Sequence, residues 1–223
     1  MFVQTPARCF LFLLCLLTPL AWAQALPKLT LVYVEDETQV TLTKDKGGRV
    51  DAVEGAEVTV GTTVSTKASS VELRLEPNGS VLKLAHDTVF SVRSLVGLQG
   101  VSNDFSVLSG KIRMVAAKLG GNVSYNVFTP TAQAGVRGTD FAVEANDKTG
   151  DWICVKEGLV EFAILDANGG KLKAIPIAAG EFANVKMANF APRKASASDL
   201  ADKFEGLDFF AVREADVPGH SVP

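Results

Sequence analysis

Histidine and cysteine are scarce in this chain. Its 223 residues hold two histidines and three cysteines. Cys9 and Cys15 fall in the first apolar run, and Cys154 stands alone inside Trp152-Ile153-Cys154-Val155. One remaining cysteine makes no intrachain disulfide, and an apolar run marks it as a small buried hydrophobe. His86 precedes a strand-like run beside Asp87, and His220 lies near the C-terminus. No His/Cys cluster has metal-ligand spacing, and no nucleophile motif or phosphate-binding glycine loop is present. The sequence therefore predicts no catalytic set, no metal and no cofactor. Positive charge is equally thin. Lys and Arg number 22 against 25 Asp and Glu, for a net charge of −3, and no basic run occurs. That argues against nucleic acid, whose phosphates call for a concentrated positive face. Long apolar runs are missing too. The one run, at residues 9–17, is shorter than the roughly 20 residues of a membrane-spanning helix.

That run has a function of its own. Arg8 precedes it, Thr18-Pro19 ends it, and Ala21-Trp22-Ala23 comes next as a small-residue site. This is the three-part pattern of a secretory signal peptide, with cleavage expected after Ala23. The mature chain is expected to carry no membrane span and to be exported.

Beyond residue 24 the chain reads as short strands between turns. Strand-like runs cover residues 29–34, 39–43, 71–75, 81–84, 88–92, 111–116, 123–128, 141–145, 153–155, 160–165 and 182–187. Val71, Leu73 and Leu75 alternate with Glu72 and Arg74, which is the period of a half-buried strand. Turn chemistry separates the runs at residues 46–48, 76–79, 119–122, 146–151 and 166–170. Glycine recurs ahead of strands at Gly55, Gly61, Gly110, Gly158 and Gly180, at irregular spacing. The fold class is all-β, either a β-solenoid or roll, or a sandwich of short antiparallel strands. The domain is expected to span residues 24–194.

From residue 195 the composition changes. Ser198, with Asp199 and Asp202 behind it, reads as a helix N-cap. Leu200, Phe204 and Leu207 share one helical face. The tail, residues 195–223, is expected to dock on the β-domain and cover an edge. The alternative is a partner-binding tail.

One segment is more distinctive than the rest. Phe128-Thr129-Pro130 leads into small residues, then into Gly135-Val136-Arg137-Gly138-Thr139-Asp140-Phe141. Pro130 stops a strand, and Gly135 and Gly138 would allow turns that a side chain blocks. Arg137 carries a rigid fork of donors able to tie loop carbonyls together, with Asp140 as a possible acceptor. Thr139 and Asp140 could also cap a turn. These residues read as structural. The functional alternative is an Arg137 clamp on a carboxylate or glycan acid.

The segment resembles the signature of the FecR (ferric citrate regulator) domain family: Thr-Pro, a variable stretch, Val-Arg-Gly-Thr, then a Phe-x-Val strand. Companion pieces keep the same order. They are residues 61–66, 71–80 with Asn78-Gly79-Ser80 where Asp-Gly-Ser is usual, 108–113, and 155–160. The resemblance covers residues 29–187. It implies a periplasmic β-domain used for contact with other envelope proteins. Regulators of this family also carry a cytoplasmic anti-sigma segment and one membrane helix. The sequence shows a leader in their place, so the resemblance does not extend to direct sigma-factor control. The expected function is a non-enzymatic envelope interaction or signalling module with a protein partner. The alternative is a structural, cell-wall or glycan-associated component, favoured by an exposed aromatic row near Tyr125, Trp152 or residues 204–210. A hydrolase would need His86 in a cleft beside a carboxylate and a nucleophile.

Overall fold

A computed structural model of the chain describes residues 27–96, 102–118 and 124–220. The expected leader and its cleavage site, and the turn at residues 119–122, lie outside these residues. The chain forms β1 (Lys28–Val34), β2 (Val40–Lys44), β3 (Arg49–Val50), β4 (Glu57–Val58), β5 (Thr62–Thr66) and β6 (Val71–Glu76). It continues through β7 (Ser80–Leu84), β8 (Val89–Ser94), β9 (Ser102–Val115), β10 (Ser124–Phe128), β11 (Ala132–Val136) and β12 (Asp140–Ala145). Last come β13 (Trp152–Glu157), β14 (Leu159–Leu165), β15 (Lys171–Ala178), β16 (Glu181–Asn184), β17 (Arg193–Lys194) and helix α1 (Ala197–Phe204).

These strands make two sheets that share one strand. In the first, the order is β4-β1-β6-β7-β9-β12-β13-β16-β17. In the second it is β3-β2-β5-β8-β9-β10-β11-β14-β15. All ladders are antiparallel except β9–β10. Strand pairs alternate between the sheets along the chain: β10–β11, then β12–β13, then β14–β15, then β16–β17. Of the two architectures open from the sequence, this is a rolled, open sandwich of antiparallel strands; a solenoid would stack parallel coils.

β9 belongs to both sheets. Its residues 102–109 pair with β8 and β10, and its residues 110–115 with β7 and β12. The crossing falls at Gly110, whose φ is +85°. A Cβ there would sit 2.6 Å from the Thr88 backbone. Only glycine satisfies both conditions.

The inward residues of both sheets meet in one core, which includes Leu31, Leu73, Leu82, Phe105, Met114, Phe141, Ile153 and Phe162. Burial of each such side chain stabilises the fold by roughly 1.5–3 kcal/mol. Two smaller apolar clusters lie elsewhere, on the outer face of the first sheet. One joins Ala142, Trp152, Cys154 and Phe182 to Leu207, with Leu200 and Phe204 packed against it. The other joins Val81, Val115 and Ala117 to Val212 and Val217. The tail therefore docks, but on a sheet face and not on an edge. We call this sheet the covered sheet and the other the open sheet.

The helix starts two residues earlier than its sequence suggests. Ser196 is the N-cap, and Asp199 completes a capping box with it. Arg193 reinforces the start by two bonds to Asp199, at 2.8 and 2.9 Å.

Candidate functional site

The signature segment forms the corner between the two sheets. Thr129 closes a tight turn: its amide and hydroxyl face the Ala132 carbonyl, and its hydroxyl accepts from the Ala132 amide at 2.9 Å. Pro130 is exposed in that turn. Gly135 lies inside β11, not at a turn, and a Cβ there would meet nothing nearer than 3.6 Å. Gly138 does turn the chain, at φ +67°. Arg137 is exposed, Thr139 is buried, and Phe141 enters the core. The bidentate partner of Asp140 is Arg113, at 2.9 and 2.7 Å.

Arg113 leads to a larger arrangement. Register places Tyr33, Glu72, Lys83 and Arg113 side by side across β1, β6, β7 and β9, on the outer face of the covered sheet. Glu72, Lys83 and Arg113 are at most 2% exposed, and Asp140 is 4% exposed. Buried charges of this kind need partners. Lys83 donates to Glu72 at 3.2 Å, between the rings of Tyr33 and Phe210 at 4.7 and 4.3 Å. Burial pulls the Lys83 ammonium below its ordinary pKa, and Glu72 opposes the shift.

Tail residues complete the set. Glu72 accepts three consecutive backbone amides, from Phe210, Ala211 and Val212, at 2.6, 3.0 and 3.3 Å. Arg113 reaches Glu214 at 2.6 Å and lies 5.1 Å from the Phe209 ring. Burial alone would raise the Glu214 carboxyl; Arg113 and Lys156 outweigh it, and the net shift is downward. Further on, the His220 ring nitrogens face Glu157 at 3.2 Å and the Ala116 carbonyl at 2.7 Å. Alternation along β6 puts Glu72 on its outward side, and the tail expected to cover an edge covers this charged face instead, 138 residues further along the chain.

A cleft of about 550 Å³ opens beside this row, between the tail and the rim of the sheet. Glu35, Ser70, His86, Lys111, Asp208 and Phe210 help to line it. His86 thus sits in a cleft beside a carboxylate and a hydroxyl. The order is wrong for a nucleophile relay, however. Ser70 donates to Glu35 at 2.9 Å, and His86 pairs with the same oxygen at 2.9 Å. A relay has the imidazole between hydroxyl and carboxylate. Here the carboxylate stands in the middle, and Ser70 is buried. Cys154 lies under α1, and burial pushes its thiol up to about 11, which makes it unreactive.

The sheet edges are blunt. β3, β4 and β17 have two residues each. β15 has eight, and Pro176 interrupts it. The Ala178 amide turns away from β14 to the Glu181 carboxylate at 2.9 Å. Alternation puts Pro176 on that same outward side, where it offers no donor to an added strand. The aromatics considered from sequence are also placed: Tyr125 is buried with its hydroxyl on Ser80 at 2.9 Å, and Trp152 is buried beneath α1.

Residues 62–161 match the family model described as FecR protein. None of the curated proteins matches the chain. Among solved structures, the chain is similar to a proposed anti-sigma factor from Parabacteroides distasonis, with a TM-score of 0.51 and 16% identity. The likeness covers 65% of this chain and 65% of that chain's own length. A second structure of a proposed anti-sigma factor from the same organism gives a TM-score of 0.46 at 16% identity over 58% of each chain. The first likeness shows a shared fold.

Proposed function

We propose that this chain, whose residues 62–161 match the FecR family, works as a non-enzymatic protein-interaction and signalling module of the cell envelope. Its place is the periplasm, reached by the leader at residues 1–23 and its cleavage after Ala23. The FecR match carries this reading. The described residues support it further. They form a two-sheet scaffold with blunt edges, which favours contact through a face over strand addition. The motif residues 129–141 hold the corner between the sheets, and their work is structural.

The test is crosslinking in intact cells with the chain tagged at its C-terminus, followed by mass spectrometry and cell fractionation. One dominant envelope protein, recovered with the tagged chain in the periplasmic fraction, is the expected result. Retention of the tagged chain in the cytoplasm, or recovery of wall fragments and self-crosslinks alone, would overturn it.

A further inference from the structure

The tail covers two chemically different grounds. Helix α1 and Leu207 sit on Trp152, Cys154, Phe182 and Ala142, an apolar patch of the kind that stays covered. Residues 208–213 belong to no helix or strand. They cross the charged row Glu72–Lys83–Arg113 instead. A face meant for permanent cover gains nothing from such charges, since well-packed apolar side chains do as well or better than a buried ion pair. A charged row has a different merit: it remains soluble when uncovered.

The way residues 208–217 bind is also that of a ligand. Three successive amides converge on one carboxylate, which takes a bent backbone, because neighbouring amides of an extended strand point to opposite sides. Phe209 lies against Arg113 and Phe210 against Lys83. Val212 enters the small cluster of Val81, Val115 and Ala117. Glu214 closes on Arg113. One side of the segment borders the open cleft through Asp208 and Phe210, and Phe210 is 70% exposed.

We propose that the row Glu72–Lys83–Arg113 is a docking surface for a short bent segment of a protein partner, which residues 208–217 occupy as an internal stand-in. The segment it fits carries two adjacent aromatic side chains, an aliphatic one two positions after the second, and a carboxylate two positions after that. Glu72 takes its backbone amides, Lys83 and Arg113 take its rings, and Arg113 takes its carboxylate. Helix α1 stays in place while the strap lifts. This rests on the interaction-module reading and gives it an address.

The experiment uses the full chain. A fluorescent synthetic peptide of residues 208–217 is titrated against the natural chain and against a Phe209→Ala/Glu214→Gln chain, in which the internal strap is weakened. The weakened chain is expected to bind the peptide at least about tenfold tighter than the natural one. Adding Glu72→Gln should reverse most of that gain, because the amides then lose a charged acceptor. Lys83→Gln is the second variant, for use if Glu72→Gln does not fold by circular dichroism. Equal affinity for natural and weakened chains, or binding indifferent to both row variants, would overturn the proposal. A partner captured in cells that the peptide cannot displace would leave the module reading standing and sink this surface. Row-dependent peptide binding without any captured envelope partner would do the reverse.

Discussion

The two outer faces of the sandwich are built from the same strand pattern and end in opposite states. On the open sheet, Thr41, Thr43, Thr63, Ser65 and Ser91 face outward, half-buried at most. Asn126 donates to Asp104 and accepts from Gln133, a ladder of neutral and singly charged groups shared with water. On the covered sheet the outward positions hold Glu72, Lys83, Arg113 and Asp140, and the tail removes them from water. Inward residues hardly distinguish the two sheets. Tertiary cover decides which charges are surface and which are interior, and each state has its own energetics.

Four comparisons break or sharpen this contrast. The largest effect is expected from Arg113→Gln, which leaves Asp140 buried without its bidentate partner. Urea denaturation should show a loss of about 3–5 kcal/mol. Lys171→Gln on the open sheet, where Lys171 and Glu161 are 45% and 58% exposed, should cost less than about 1 kcal/mol. Equal losses would erase the distinction. Next, Leu207→Ala empties a fully buried site under the tail and should cost about 2–4 kcal/mol, while Thr41→Ala stays within about 0.5 kcal/mol of neutral.

The third is pH dependence. The folded Glu214 carboxyl sits below its unfolded value, so its contribution is whole above the unfolded pKa and disappears as pH falls through the folded one. The gap in melting temperature between the natural chain and Glu214→Gln should be widest near neutral pH. It should close as pH falls below about 4.3. A gap that grows on acidification would contradict the assigned pairing of Arg113, Lys156 and Glu214. The smallest effect belongs to the signature segment. Gly135→Ala adds a Cβ in ordinary van der Waals contact inside β11, 3.6 Å from its nearest neighbour, and should stabilise by about 0.5–1 kcal/mol. Gly138→Ala, at positive φ and against Lys118, should destabilise instead.

The all-β class, the hairpin turns and strands such as β1, β6, β7 and β14 were legible because their apolar residues alternate and their turns carry Gly, Asn or Asp. β11 was not, since Ala132, Ala134 and Gly135 carry little strand signal although the strand is central. β15 hid behind Pro176, which only an edge position permits. The first half of β9 is too polar to advertise itself. In the signature segment, Asp140 was recognised as an acceptor, but its donor came from a different strand, because register and not sequence distance brings Arg113 across. The charged row looked like an ordinary solvated face. Leu200, Phe204 and Leu207 announced a docking element, but the residues after them carry no pattern that points to a charged row.

The shared strand β9 has a consequence for the order of assembly. In each sheet, four strands from the first half of the chain lie on one side of it and four from the second half on the other. A chain that emerges N-terminus first can complete the first half against β9 while the rest is still being made. Throughout that interval Glu72 and Lys83 are ordinary hydrated ions. They become interior only when the last twenty or so residues arrive from the far side of β9 and close over the seam between the two halves.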